Sequence, residues 1–432
     1  MSDRRAEAIA RFAARPRPAR LTPVVQPYAW GGYEFLSNLI GVAPRPGHPS
    51  AELWAGAHPG GSALVHLDDE EVRLDVLIGD AAPAVLGQAS LRRFGPHLPY
   101  LLKVLDVRAM LSIQAHPTLE QAAEGFAREN AAGVSLSAPH RNYKDANHKP
   151  EAQVALTEFW LLCGFRPVRE VRPLLEERPE LHPLLPLVPA TAGADEPQAL
   201  ERLYRHVMTM PQREIDAMLD PLARRLTARF APAGLPCSAS SSSPDFWAAR
   251  AAREFALPGG AHDRGIVSIY LLNLVRLAPG QATFIGPGVL HAYLSGVAVE
   301  IMASSDNVLR GGLTPKHVDV PELLRILRFE PGAPQVADGD LVSEAEREYR
   351  APADEFRLTR LALLPGRAAP GRSASAEVLL VLEGAAVLEG AGERLPLRRG
   401  QLALVPAGLD YALSAHAVTT TTTTVFRAAV PP

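Results

Sequence analysis

The sequence predicts a mainly β fold with a helical insertion, in which two β jelly rolls accompany an α-helical domain. Three observations predict it. Residues 22–115 and 262–325 read mainly as strands and turns. Residues 166–258 switch to a helical period. A turn-strand-turn-strand cadence in the first β region returns near the C-terminus, as double-sheet jelly rolls require.

The β elements come from short aliphatic runs bounded by Gly or Pro, at 268–277, 282–285 and 297–301. In the middle, Leu200, Leu203, Tyr204, Val207 and Met208 repeat at helical spacing, and Ile215, Met218, Leu219, Leu222 and Leu226 do so again. Thr209 and Gln212 read as a capping box with proline in the first turn of the second helix. The serine-rich stretch 238–244 reads as a mobile loop closing the insertion. The cadence places Gly280-Gln281, strand and Pro-Gly turn before His291, and Gly400-Gln401 with a like pattern before Tyr411. Asp410 and Tyr411 stand where the first copy has Leu290 and His291, so the last segment reads as structural. Thr419 to Thr424 read as a strand with a hydroxylated outer face. The expected division is a discontinuous first domain (22–165 and 259–325), a helical insertion (166–258) and a C-terminal domain without metal ligands (326–432).

A chain of 432 residues can bury a large core. Its net charge of −3, with scattered basic residues, gives no nucleic-acid footprint. Residues 1–20 lack the apolar stretch of a secretory signal, and no apolar run reaches membrane-spanning length. The two cysteines, Cys163 and Cys237, lack the spacing of a thiolate metal site. The expectation is a soluble cytoplasmic monomer with no nucleic-acid or membrane partner.

The chemistry concentrates in three segments. Ser112, Gln114 and His116 alternate with Leu111, Ile113 and Ala115, so on a strand the three polar groups share one face. A hydroxyl, an amide and an imidazole suit half of a divalent-metal site; by themselves they fit a half-polar strand with a core histidine better. The segment 142–151 crowds ionisable groups around Pro150 and ends in Glu151. The segment 286–293 delivers His291 after a Pro-Gly turn, with Tyr293 on the same face. Gln114, His116, Glu151 and His291 would make a four-ligand set with room for water or substrate.

Five stretches carry a family resemblance: Gln26-Pro-Tyr-Ala-Trp-Gly31, Glu52-Leu-Trp-Ala-Gly-Ala-His-Pro59, 111–117, 143–151, and 291–316 with its Asp306-Asn-Val-Leu-Arg-Gly-Gly312 core. They resemble the type I phosphomannose isomerases, in that family's order, over most of residues 22–325. The resemblance implies cupin-like jelly rolls, one Zn²⁺ per subunit held by Gln114, His116, Glu151 and His291, and a phosphosugar substrate. It implies interconversion of mannose 6-phosphate and fructose 6-phosphate through a cis-enediol.

That route needs one carboxylate on the metal and another free to carry a proton. Glu300 is the free candidate, inward-facing on its strand with Ala298 and Met302; a salt bridge to a nearby Arg or Lys is the bland alternative. Arg310, beside Gly311 and Gly312, could orient sugar oxygens. Lys316 and Ser112 resemble the family's phosphate-binding pair. Lys149 and His58 are the ring-opening candidates, with a barrel-rim histidine the plain alternative for His58. Trp30, Tyr293 and Asp306 complete the expected sugar pocket. The competing functional class is a non-catalytic or regulatory phosphosugar-binding cupin, which would lack Glu300, Arg310 and Lys316. A cupin oxygenase would favour a facial site of two histidines and a carboxylate with redox-active iron.

Overall fold

The computed structural model describes residues 3–190, 193, 195–230, 241–416 and 421–432. All pairings between named strands are antiparallel, in sheets of eleven, nine and four strands. The eleven-stranded sheet runs in the order Val336–Ala337, Ala282–Ile285, Glu151–Ala155, His291–Ala303, Tyr100–Val107, Glu52–Gly56, Val24–Gln26. Strands Ile113–Ala115, Phe159–Phe165, Leu272–Leu277 and Leu309–Gly312 join it laterally.

His291–Ala303 is the hub of this sheet. Its first half pairs with Ile113–Ala115 and Phe159–Phe165, its second with Tyr100–Val107 and Glu151–Ala155. The change of partners falls at Gly296, whose φ of 116° is closed to most L side chains. A Cβ there would stand 2.4 Å from the Glu158 carbonyl oxygen. Glycine therefore lets one strand serve two layers, and puts His291 and Glu300 on the same strand.

The nine-stranded sheet gathers the C-terminal strands, but it also takes in Ala19–Thr22, Leu64–Leu67 and Glu70–Arg73. One apolar cluster joins both sheets, with Val104, Val299 and Ile301 beside Val378, Leu380 and Phe426. Two strands assigned by sequence to the first domain, Leu64–Leu67 and Glu70–Arg73, thus belong to the sheet that holds the C-terminal strands.

The helical insertion contains Val168–Glu176, Glu196–Thr209, Gln212–Arg229 and Pro244–Glu254. All ten residues of the two helical-period runs are buried. Several local expectations are corrected. Residues 268–277 are not one strand: Gly265–Leu271 is a helix and only Leu272–Leu277 is extended, because an aliphatic run buried on every side has no periodicity to distinguish the two. Thr209 and Gln212 form no capping box. Thr209 Oγ1 donates back to Arg205 O at 2.8 Å, and the Gln212 amide binds Asp216 and His262. A capping box occurs instead at Thr118 and Gln121, opening helix Leu119–Ala131.

The region 22–115 also holds an unexpected helix, Leu74–Phe94. By length and composition it could cross a membrane, against the sequence expectation. Its apolar residues Leu74, Leu77, Ile78, Val85 and Leu86 are instead buried in the shared core, and its helical backbone breaks at Ala81 and Gly87. Of the serine loop, 238–240 lie outside the described residues, as do 419 and 420 of the threonine run. The described part of that run starts a strand at Thr423, with Thr423 and Thr424 buried rather than outward-facing.

The repeated cadence is structural. Gly280 and Gly400 have φ of 88° and 78°, and Gly288 and Gly408 of 75° and 83°. Gln281 and Gln401 each accept a backbone N–H three residues back, at 3.0 and 2.9 Å.

Candidate active site

A cavity of about 710 Å³ opens on the eleven-stranded sheet. Gln114, Glu151, Tyr293 and Glu300 line its floor, Trp30, Ser112, Lys149 and Asp306 its walls, and Arg310 and Lys316 are among the residues that complete its lining. His116 and His291 are fully buried beside Glu151.

Strand register assembles the floor. Gln114 pairs directly with His291, Arg310 with Gln114, and Glu151 with Met302 on the strand that also carries His291. Ligand atoms of His116, Glu151 and His291 all lie within 4.8 Å of one another. His116 Nε2 stands 3.3 Å from Glu151 Oε1, and His291 Nε2 3.5 Å from Glu151 Oε2. Each imidazole donates its other nitrogen's proton outward: His116 Nδ1 to Asn307 O at 2.7 Å, His291 Nδ1 to Val289 O at 3.0 Å. These bonds fix the tautomer that presents a bare Nε2 inward, the arrangement of metal-ligating histidines. His116 Nε2 is buried without a hydrogen-bond partner among the described residues, an unsatisfied acceptor that a cation would meet. Burial pushes His116 down to about 4, keeping it neutral as a ligand must be. Burial would raise the Glu151 carboxyl, but the ammonium of Lys149 holds it well below its ordinary value. The Gln114 amide lies 3.3 Å from His291 Nε2, and a half-turn of that amide presents its oxygen to the same centre. The donor set of two imidazoles, a carboxylate and an amide oxygen fits Zn²⁺.

Glu300 is buried and faces the cavity from the same strand. Its Oε2 lies 3.2 Å from Lys103 Nζ, which is also 3.4 Å from Glu52 Oε2. The salt bridge weighed as the bland alternative is therefore real, yet it sits inside the cavity. Burial raises the Glu300 carboxyl, Lys103 opposes the rise, and Glu151 adds to it. Lys103 stays charged, since the attraction of Glu52 and Glu300 outweighs the cost of its burial. The Tyr293 hydroxyl lies 2.8 Å from Glu300 Oε1 and 3.1 Å from Glu151 Oε2, so its one proton can serve either carboxylate.

Lys149 Nζ reaches Glu151 Oε1 at 3.1 Å. His58 does not line the cavity; it stands behind Asp306, Nε2 to Oδ2 at 3.3 Å, and helps hold the Asp306 carboxyl below its ordinary value against burial. Arg310 is half-buried, Lys316 is exposed, and the Lys316 ammonium is held below its ordinary value by burial and by Arg310. Lys103 and Glu52 were missed as site residues in the sequence. The available signal was a lone cation in the otherwise apolar run Tyr100-Leu-Leu-Lys-Val-Leu105, since a charge in a buried strand needs partners.

The C-terminal repeat has the same frame with other chemistry. By register, Glu377 pairs with Val405 as Glu151 pairs with Ile285, and Gly371 with Tyr411 as Gln114 with His291. Arg427 faces Thr359 as Glu300 faces Lys103. The cation sits on Thr423–Ala429, the strand that corresponds to Glu300's: Arg427 bonds Glu346 and Tyr411, and the Tyr411 hydroxyl donates to Glu377 at 2.6 Å. Asp410 is exposed, paired with Arg372.

Residues 19–168 match the family described as phosphomannose isomerase type I, catalytic domain. The chain is 38% identical over 390 residues to the mannose-6-phosphate isomerase of Salmonella typhimurium, covering 90% of this chain and 94% of the relative. It is 33% identical over 430 residues to the human mannose-6-phosphate isomerase, covering 93% and 96%. The solved structure of the Salmonella typhimurium enzyme bound to substrate and zinc has a TM-score of 0.82 at 34% identity, covering 96% of this chain and 100% of that one.

Proposed function

The chain belongs to the type I phosphomannose isomerase family, and on that premise we propose that it interconverts D-mannose 6-phosphate and D-fructose 6-phosphate with one Zn²⁺ per chain. The observation that carries the chemistry is the pair of buried carboxylates bridged by Tyr293. Glu151 is kept ionised among two histidines and Lys149, while Glu300 is free of them and raised by burial.

In this reading Gln114, His116, Glu151 and His291 hold the metal, which when bound polarises the sugar's C1 and C2 oxygens. Glu300 takes the C2 proton of the open-chain aldose. The C–H electron pair becomes the C1–C2 double bond, the C1 carbonyl pair moves onto its oxygen, and that oxygen takes a proton from solvent, balanced when the C2 hydroxyl gives one up. Glu300 then delivers its proton to C1 while the C2 hydroxyl loses its own, leaving the ketose. Lys103 opposes the rise that burial and Glu151 impose on Glu300 and so favours its ionised, basic form. Lys149 and Asp306, the latter backed by His58, take the ring-opening proton transfers. Arg310, Lys316 and Ser112 bind the sugar and its phosphate at the mouth, with Trp30 as a wall. A phosphosugar binder without catalysis would have no use for the charged floor of Glu52, Lys103 and Glu300.

We read the two β regions as cupin-like jelly rolls, the first (22–165 and 259–325) catalytic and the last (326–432) without metal ligands, sharing the N-terminal strands. A monomeric cytoplasmic enzyme acting on a small phosphosugar fits the composition. The deciding experiment is a coupled assay of fructose 6-phosphate formation before chelation, after it, and after zinc is restored. Full turnover in a metal-free sample would sink the proposal.

A further inference from the structure

The segment that carries Lys149 has no regular secondary structure; residues 141–150 belong to no helix or strand. Irregular backbone beside a cavity keeps its shape only if other groups hold it. Its first half is held from the turn after strand His291–Ala303. Asn307 accepts from Lys144 N at 2.7 Å and donates to Asp145 O and Asn147 O at 2.9 and 2.8 Å, and Ser305 Oγ donates to Asp145 Oδ1 at 2.9 Å. None of these bonds reaches past Asn147.

The next residue is held from elsewhere. His148 Nε2 meets Glu355 Oε1 at 2.6 Å, and Glu355 lies between strands Glu346–Tyr349 and Arg357–Leu363 of the other sheet. Glu355 is buried, and its Oε2 has no hydrogen-bond partner among the described residues. Burying a carboxylate with one oxygen left without a partner is costly, and an exposed pair would have avoided that cost. The pair is also selective in place: it grips the one residue between the Asn307-held turn and Lys149.

We infer that Glu355 is a positioning residue for the isomerisation, holding Lys149 in the cavity through His148 from the C-terminal half of the molecule. The inference rests on the proposed isomerase reading and on the place of Lys149 within it. It gives the C-terminal half a part in catalysis that its own metal-free repeat does not supply.

The test uses the full-length zinc enzyme, with wild-type turnover of mannose 6-phosphate measured first; an inactive wild type would overturn the isomerase reading itself. With an active wild type, Glu355→Ala is expected to lower kcat about 10- to 100-fold, with KM changed less than about threefold and zinc content unaltered. Glu355→Gln, which can still hydrogen-bond to the imidazole, should restore most of kcat. His148→Ala should reproduce the loss, and the double variant Glu355→Ala/His148→Ala should be no slower than His148→Ala alone. Wild-type kcat in Glu355→Ala, or a lower thermal midpoint with unchanged kcat, would reduce the pair to a structural tie. Multiplying losses in the double variant would show that Glu355 does not act through His148. If Glu355→Ala fails to fold, Glu355→Gln and His148→Ala decide: loss in the second without rescue in the first overturns the inference.

Discussion

Lys103 shows how one residue can set the chemistry of another. A buried carboxyl beside a second carboxylate is driven toward its protonated form, and a protonated Glu300 could not accept a proton from carbon. The ammonium of Lys103 at 3.2 Å opposes that drive. Glu300→Gln keeps the shape of the side chain and the Tyr293 contact but removes the proposed base. kcat should fall by roughly two to four orders of magnitude with zinc content retained, and solvent deuterium exchange into substrate should fall in parallel. Near-normal exchange in that variant would move the base elsewhere. At the mouth, Lys316→Ala should raise KM for mannose 6-phosphate about tenfold or more, because a localised cation on a dianion contributes binding energy. Residual turnover of unphosphorylated mannose should change far less; equal losses on both sugars would assign Lys316 to the reacting carbons or to folding.

Among the elements, the short helix Val320–Ile326 depends on side-chain bonds more than on length. Its Glu322 accepts from Arg128 at 2.7 Å, from the Tyr143 hydroxyl at 2.6 Å and from Arg325 at 2.6 Å, tying the helix to Leu119–Ala131 and to the 142–151 segment. Burial would raise this carboxyl, but the bonds from Arg325, Tyr143 and Arg128 lower it from 4.5 to about 2. A carboxyl with a depressed folded value stabilises the fold above its unfolded value, and loses that contribution as pH falls from 4.5 toward 2. Glu322→Gln should therefore destabilise the fold more at pH 7 than at pH 3, by about 1 kcal/mol or less after solvent screening, as read from denaturant titrations at the two pH values. An equal loss at both would show that the charge contributes nothing.

Over the whole molecule, the two repeats use one register for opposite ends. The first places a cation beside two acids and leaves a neighbouring histidine cluster open to a metal. The second closes its acids on Arg427 and Tyr411. Removing one partner from a buried pair is worse than never having had it. Arg427→Ala should destabilise the protein by about 3–5 kcal/mol in denaturant titrations, while folded molecules keep kcat near wild type. Asp410→Ala, at an exposed ion pair, should change neither measurably. A loss of kcat in folded Arg427→Ala would mean that the second repeat is coupled to the cavity.

The sequence by itself determined the polar face of 111–117, the helical insertion, the repeated Gly-Gln cadence, and the turn that precedes His291. Each is encoded locally, by alternation, by helical period or by a turn, and the spacing of residues along one element fixes what shares a face. Tertiary structure decided the rest. Lys103 and Glu52 lie on strands whose neighbours in space are far away in sequence, so only the register of Tyr100–Val107 against His291–Ala303 reveals that Lys103 faces Glu300. The strand expected at 268–277 became partly helix because burial on all sides of Gly265–Leu271 erases periodicity, and the helix Leu74–Phe94 was hidden because its backbone breaks at Ala81 and Gly87 interrupt the helical period. His58 came to rest behind Asp306, and Glu355 reached His148, through contacts between segments more than 200 residues apart. No local pattern in the chain encodes such contacts; they exist only where packing brings the strands together.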